Sequence, residues 1–354
     1  MGLDLSVDTV QLTEDLVNIE SVSGNEREIA DAVQAALADL DHLQVQRFGN
    51  TVVARTEHGH DERVVIAGHL DTVPLNANLP ARSDGHALHG LGTCDMKGGV
   101  AVALRIAATM PRTNRDVTFL FYECEEVEAE RNGLFLLSQS NPELLQADFA
   151  ILMEPSDAVV EAGCQGTLRV DVLTHGERAH SARSWMGSNA IHAAAEVLAR
   201  LNAYEPRRPV IDGLEYHEGL NAVFITGGVA GNVLPDQCRV SVNYRFAPDR
   251  SEEEAIAHVR EVFDGFDVEV SDSAPAAMPG LSVPAAAAFV EAVGGTANPK
   301  FGWTDVARFS GLGIPAVNFG PGDPHLAHKQ DEFVPIEHIG EVEKRLRAWL
   351  EEDA

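Results

Sequence analysis

Residues 63–73 read RVVIAGHLDTV, an apolar, β-branched run that stops abruptly at a histidine and an aspartate. The same shape returns twice, as DVTFLFYECEE at 116–126 and DFAILMEP at 148–155. A strand with one wet face alternates polar and apolar residues. These runs are apolar at both parities, so both of their faces are buried. Between the first two, MKGGVAVALRIAATM at 96–110 reads as a helix after a glycine-rich loop. Buried strands separated by helices predict a largely parallel sheet and hence an α/β domain. Upstream, SVDTVQLTEDLVNIE (6–20) and EREIADAVQAALADL (26–40) carry helical periodicity, with Gly24 in the turn between them.

Further along the chain the pattern changes. LRVDVLTH (168–175) reads as a strand, GSNAIHAAAEVLARLNAY (187–204) as a helix, and NAVFITGGVA (221–230) and CRVSVNYRF (238–246) as two strands. SEEEAIAHVREVF (251–263) opens with a serine cap and an acidic first turn, which predicts a helix, and DVEVSDS (267–273) closes as a strand. The order β-α-β-β-α-β is that of a ferredoxin-like unit. After the Pro/Gly-rich connector SAPAAMPGLSVP (273–284), a helix at 286–295 and the strand IPAVNFG (314–320) look like more of the first domain. The expectation is therefore a discontinuous α/β domain, residues 1–166 and 281–354, interrupted by a ferredoxin-like insertion at 167–280.

A length of 354 residues suits two such domains, and 45 % apolar with 23 % charged residues is ordinary globular composition. The net charge of −29 is not ordinary. Phosphate backbones and anionic membranes repel such a chain, which argues against nucleic-acid and lipid partners. The N-terminal MGLDLSVDTVQLTEDL has no basic segment and no long apolar run, so neither a signal peptide nor a membrane span is expected. Four scattered cysteines, Cys94, Cys124, Cys164 and Cys238, form no CxxC pair and point to reduced thiols in a cytoplasm.

Chemistry gathers where the apolar runs end: His69 and Asp71, Asp95, Glu125 and Glu126, Glu154, and later His328. In open α/β sheets ligands collect at the carboxyl ends of the strands, so these distant segments can converge. A mixed nitrogen and oxygen donor set suits zinc, cobalt or manganese in a hydrolytic site. More carboxylates than one ion needs suggests two ions sharing one of them. Each residue also has a plainer use. A histidine at a strand end is more often simply hydrogen-bonded, Asp95 would favour the start of the next helix, and Glu125–Glu126 would suit a solvated strand end. His69 and Asp71, two apart on one strand face, allow Asp71 to accept the second imidazole N–H. Cys94 and Cys124 adjoin the proposed site, as ligands or as small buried residues turned away from it.

Taken in order, GHLDTVP, LHGLGTCDMKGG, YECEEVEAERNG, MEPS and AHKQDEFV resemble the signature series of the M20 family of metallopeptidases and deacylases. GERAHSARSWMGSNAIH, GGVAGNVLPDQC and VNYRFAPD resemble that family's lid and dimerisation domain, so the likeness spans nearly the whole chain. EAGCQGTLRV, AHSARSWMG, FGWTDVARF and FGPGDPHLAH look closest to the family's actinobacterial desuccinylases. The resemblance implies that Asp95 bridges two divalent ions, zinc or cobalt. His69 and Glu154 would complete one shell, and Glu126 and His328 the other. Glu125 would be the general base and Asp71 the partner of His69. The AHKQDE pattern selects His328 over nearby His325. His180 would stabilise the oxyanion from the partner's lid in a homodimer.

An amide is a poor electrophile and water a poor nucleophile, which is what two divalent ions and a base remedy together. The reaction that the resemblance implies is hydrolysis of N-succinyl-LL-2,6-diaminopimelate to succinate and LL-2,6-diaminopimelate. That substrate carries three carboxylates. The resemblance places Arg245 and Arg308 near them, with Asn232 and Thr304 adding neutral hydrogen bonds and Arg183 and Arg169 fainter candidates. Arg245 also suits an outward position on an alternating strand. The rivals are another activity of the family (acetylornithine deacetylase, aminoacylase or dipeptidase) and a non-catalytic binding protein on the same fold.

Overall fold

The computed structural model describes residues 2–351; Met1 and 352–354, the ends of the expected first domain, lie outside the described residues. The chain runs through α1 (Thr9–Val17), α2 (Arg27–Ala38), β1 (Gln44–Phe48), β2 (Thr51–Arg55), β3 (Arg63–His69), β4 (Arg82–Ser83) and β5 (Ala87–His89). It continues with α3 (Gly98–Thr109), β6 (Asp116–Tyr122), α4 (Gly133–Ser140), β7 (Phe149–Leu152) and β8 (Val160–Ala162). Next come β9 (Gly166–His175), α5 (Ala190–Ala203), β10 (Val210–Ile211), β11 (Leu214–Glu215), β12 (Gly219–Gly227), β13 (Gln237–Phe246), α6 (Glu252–Val262) and β14 (Asp267–Ala274). The last part holds α7 (Pro284–Ala292), β15 (Ala297–Pro299), α8 (Val306–Gly311), β16 (Ala316–Asn318), β17 (Phe333–Pro335) and α9 (Ile336–Leu350).

Two compact units result. The first comprises the chain up to Ala162 with Gly280–Asn298 and the chain from Arg308; the second comprises Gly163–Pro279 and Pro299–Ala307. The expected boundaries at 166/167 and 280/281 are thus each slightly displaced, and 299–307 goes with the second unit. Three main-chain bonds and one from a side chain explain why. Cys164 N–H donates to Ala277 O and Ala277 N–H to Cys164 O, Gln165 N–H donates to Lys300 O, and Trp303 Nε1–H donates to Pro275 O.

In the first unit eight strands form one sheet in the order β1-β2-β6-β3-β7-β16-β8-β15. The parallel character predicted from the apolar runs is confined to its middle: β6, β3, β7 and β16 pair in parallel, whereas β1, β2 and β8 pair antiparallel. β6 and β7 are buried at every position, as their unbroken apolar sequences require. α3 packs against β3 and β6 and also meets α1 and α9. Its glycine start has a packing cause: a Cβ on Gly99 would lie 2.1 Å from Met153 O, so only glycine lets the helix approach the end of β7. Phe149 on β7, Phe289 on α7 and Trp349 on α9 stack edge to face or tilted, which seats both late helices on the sheet.

The second unit orders its main sheet β12-β13-β9-β14, all antiparallel. With helices α5 and α6 this is the ferredoxin-like β-α-β-β-α-β arrangement, with the small β10–β11 hairpin added before β12. Alternation along β13 sends Cys238, Val240, Val242, Tyr244 and Phe246 into one core with Ala190, Ala194, Val197, Ala255 and Val259 of the helices. α6 carries the serine cap that its sequence predicts, as part of a capping box of Ser251 with Glu254.

Candidate metal centre

His69 is the last residue of β3, Glu123–Glu126 follow β6, Glu154 lies two residues beyond β7, and the loop reaching His328 leaves β16. These four strands are neighbours and parallel, so their carboxyl ends share one rim of the sheet. Asp95 joins them from the irregular turn Thr93–Lys97 that leads into α3. His69 Nε2 lies 3.1 Å from Asp95 Oδ1, and His328 Nε2 lies 2.8 Å from Glu126 Oε1 and 3.3 Å from Asp95 Oδ2. Donor atoms of His69, Asp95 and Glu154 fall within 4.8 Å of one another, and so do those of Asp95, Glu126 and His328. Asp95 belongs to both groups. Two nitrogen–oxygen triads sharing a carboxylate fit a pair of divalent ions.

The electrostatics agree. Burial disfavours charge on His69, yet the bond to Asp95 and the charges of Asp71, Asp95 and Glu154 push its pKa well above the ordinary value. Hydrogen bonds to Asp95 and Glu126 raise His328 to about 10. Both imidazoles thus sit in a field that favours a cation. Glu332, beside the AHKQ segment, holds the centre from behind by accepting from Cys94 N–H (2.9 Å) and Asp95 N–H (3.1 Å). Its burial lifts its pKa to about 7. Nothing in composition or periodicity marks this residue.

Asp71 meets His69 and also does something the sequence did not suggest. His69 Nδ1 lies 3.0 Å from the Asp71 main-chain oxygen and 3.5 Å from its carboxylate, so the nearest partner is the carbonyl. The carboxylate is occupied elsewhere: Oδ1 accepts from Glu125 N–H (3.0 Å) and Oδ2 from Glu126 N–H (3.1 Å). Two adjacent amides converging on one buried carboxylate hold the Glu125–Glu126 turn. Donor atoms of Glu125 and Glu126 also lie within 4.8 Å of His69's.

The cysteines and the second histidine take no place in either triad. Cys94 donates its thiol to Asp323 O, and burial followed by the Asp95 charge pushes its pKa up. Cys124 groups with Glu26 and Glu123, but its thiol donates to Glu26 and is pushed up to about 12, chiefly by burial. A thiol so placed is a donor, not a thiolate ligand. His325 is largely exposed and bonded through Nδ1 to Asp323 Oδ1 at 2.7 Å.

Arg308 belongs to the first unit, its guanidinium 5.0 Å above the Phe135 ring. His180, Asn232, Arg245 and Thr304 belong to the second. His180 is exposed and accepts Ala182 N–H on Nδ1, so the neutral ring carries its proton on Nε2 as a free donor. Its neighbour in space is Asn232, whose carbonyl accepts Ser181 N–H. Thr304 is buried, and its carbonyl accepts the Cys164 thiol. On β13, Arg245 lies opposite Thr167 and two positions from the Asn243–Arg169 pair, on the sheet face away from the helices. Burial, then the charge of Arg169, lowers its pKa. Arg169 and Arg245 thus lie diagonally on one sheet face, and Asp272 of β14 is paired with Arg169. Arg183 lies in the exposed turn Ser181–Met186.

An α/β sheet whose strand ends gather two histidines and a shared aspartate, with a glutamate beside them, defines the class: a metal-dependent amide hydrolase. The sequence model of peptidase family M20/M25/M40 matches residues 65–352, and the chain belongs to that family. It is 53 % identical over 351 residues to the putative succinyl-diaminopimelate desuccinylase DapE of Mycobacterium tuberculosis, covering 98 % of this chain and 99 % of that one. It is 48 % identical over 362 residues to the succinyl-diaminopimelate desuccinylase of Corynebacterium glutamicum, covering 99 % and 98 %. Its fold is similar to a Staphylococcus aureus tripeptidase (TM-score 0.80, 20 % identity, 99 % and 98 % covered). It is also similar to a dinuclear metal-binding M20 peptidase of Bacillus subtilis (TM-score 0.73, 16 % identity, 96 % of each chain).

Proposed function

We propose that this protein hydrolyses N-succinyl-LL-2,6-diaminopimelate to succinate and LL-2,6-diaminopimelate. The observation that carries the reading is the identity of about half of all residues, end to end, with two relatives bearing that activity in their names. In the reading proposed, Asp95 would hold both of two divalent ions, His69 and Glu154 would hold one, and Glu126 and His328 the other. Zinc suits this donor set, with cobalt the alternative. When bound, the ions supply positive charge that polarises the scissile carbonyl and favours ionisation of water. Glu125 takes the water's proton and returns it to the departing amine. Nε2–H of His180 donates to the tetrahedral oxyanion. Arg245 and Arg308 pair with substrate carboxylates, and Asn232 and Thr304 add hydrogen bonds.

The working unit is a homodimer in which His180 serves the partner's site. Its support is β12, a sheet edge whose Val223, Phe224 and Ile225 are 46 %, 70 % and 51 % exposed, beside exposed Ile191 and Leu198 of α5. An apolar open edge of this kind calls for a partner. Four buried, unpaired cysteines support a reducing, cytoplasmic setting. Among the described residues no helix is long and apolar enough to cross a membrane. The test is a panel of N-acyl amino acids assayed with zinc and cobalt. The succinylated diaminopimelate should show the highest kcat/KM by roughly a hundredfold or more, the size of discrimination that charge recognition gives. Faster turnover of N-acetylornithine or a dipeptide would replace this reading by a sister activity.

A further inference from the structure

We propose that the loop Ser21–Glu26, sequence SVSGNE, is a positioning brace for the Glu125–Glu126 turn. The inference rests on the reading of Glu125 as the base. The loop lies a hundred residues before that turn, and no role above uses it. Yet it forms a parallel bridge to the end of β3: Val22 pairs with Thr72, Thr72 N–H donates to Ser21 O, and Ser23 N–H donates to Thr72 O. Ser21 Oγ–H donates to Leu70 O at 2.7 Å. Ser23 Oγ–H donates at 2.7 Å to Asp71 Oδ2, the oxygen that also accepts Glu126 N–H.

The second contact is Glu26. Its side chain is fully buried, and Oε1 accepts from Gly24 N–H (2.7 Å), Cys124 N–H (3.2 Å) and the Cys124 thiol (3.3 Å). Gly24 turns with φ +89°, a conformation that glycine takes freely. Cys124 holds φ +57°, a conformation that is unfavourable for a non-glycine residue and persists only where neighbours impose it. Three successive amides, Cys124, Glu125 and Glu126, thus end on two buried carboxylates, Glu26 and Asp71, and Ser23 fixes the second. The loop is anchored from the other side as well: Lys97 Nζ donates to Ile19 O at 2.8 Å. A carboxylate that must meet a water proton needs its backbone fixed, because a displacement of about 1 Å in a reacting group costs as much as a hundredfold in rate.

The test compares Ser23→Ala and Glu26→Ala with Ser23→Thr and Glu26→Gln, which keep an acceptor or donor oxygen in place. The alanine variants should lose roughly tenfold to a hundredfold in kcat with KM within about twofold and metal content unchanged. The conservative variants should retain most of kcat. Hydrogen exchange over 123–127 should quicken in the alanine variants, a readout that needs no substrate. Should Glu26→Ala fail to fold, Ser23→Ala decides alone. Wild-type kcat and unchanged exchange in Ser23→Ala would overturn the brace, as would losses that track metal content or are equal in the conservative pair. Glu125→Gln serves as the control. If it keeps turnover, the assignment of the base falls; if it is inert while the alanine variants work normally, only the brace falls.

Discussion

Glu125 and Glu126 leave β6 as neighbours, but their side chains meet different partners. Glu126 reaches His328 and shares a donor triad with Asp95, whereas Glu125 enters only the group with His69 and Glu126. Glu125→Gln should therefore keep both ions yet lose nearly all kcat, because the amide is isosteric but cannot take a proton. Glu126→Gln should instead lower metal content, and elemental analysis showing the reverse pattern would exchange their roles. His328→Ala should likewise strip metal while His325→Ala leaves it, since His325 is committed to Asp323 on the surface. Equal loss from both would remove His328 from the ligand set. His69, Glu125, Glu126 and Glu154 stand out in the sequence because each follows or closes an apolar strand, and Asp95 because it adjoins a glycine turn, whereas His328 was singled out only by the AHKQDE pattern. The nearest partner of His69 was not legible. Spacing places Asp71 on the same strand face, but it cannot show that two amides from 54 and 55 residues downstream had already claimed its carboxylate. Glu26 was hidden for the same reason, since a buried glutamate that accepts main-chain N–H groups looks like any surface glutamate in sequence, and Glu332 stood there only as the last residue of the AHKQDE pattern, with no role of its own.

At the scale of elements, strong periodicity was enough. The buried runs gave β3, β6 and β7, and the strict alternation of 238–246 gave β13 with its inward and outward faces. α9 is not among the elements predicted from the sequence, although its buried Ile339, Val342, Leu346 and Leu350 recur at helical spacing. The strand order, with antiparallel edges flanking a parallel middle, depends on pairings between distant segments that no local pattern encodes. Within the second unit, the turn after β13 is held by Glu218, wholly buried. It accepts from Arg207, Ala247 N–H and the Tyr244 hydroxyl. Burial works against its charge, and these bonds outweigh that, leaving its pKa below the usual carboxylate value. Glu218→Gln would turn an NH2 toward donors on one side and should cost about 2 kcal/mol. A group with a lowered folded pKa gives stability that is complete above its unfolded value, about 4.3, and fades as pH falls through the folded one. The gap in urea midpoint between wild type and Glu218→Gln should therefore be full at neutral pH and shrink below pH 4. A gap that widens on acidification would contradict the sign.

For the whole molecule, the question is whether one chain suffices. The proposed metal donors and Glu125 all come from the first unit, but His180, the only proposed oxyanion donor, is on the second, exposed and with Nε2–H free. The same unit presents the apolar open edge of β12. A two-fold pairing through that edge makes each chain both donor and recipient, because an isologous interface repeats every contribution. His180→Ala should then lower kcat by roughly a hundredfold or more while retaining metal, as loss of an oxyanion donor does. A single-chain role for His180 predicts the same loss, so the point mutant alone does not separate the two arrangements. Mixing does. When Glu125→Gln and His180→Ala chains assort into one dimer, service in trans collects both lesions in one site and leaves the other whole. Random assortment of equal amounts makes half the dimers mixed, each with one working site, so about one quarter of wild-type activity should return. Service in cis leaves every site with one lesion, and no activity returns. Native mass spectrometry reports the mixed dimers directly. Their formation without recovered turnover would return His180 to its own chain's site.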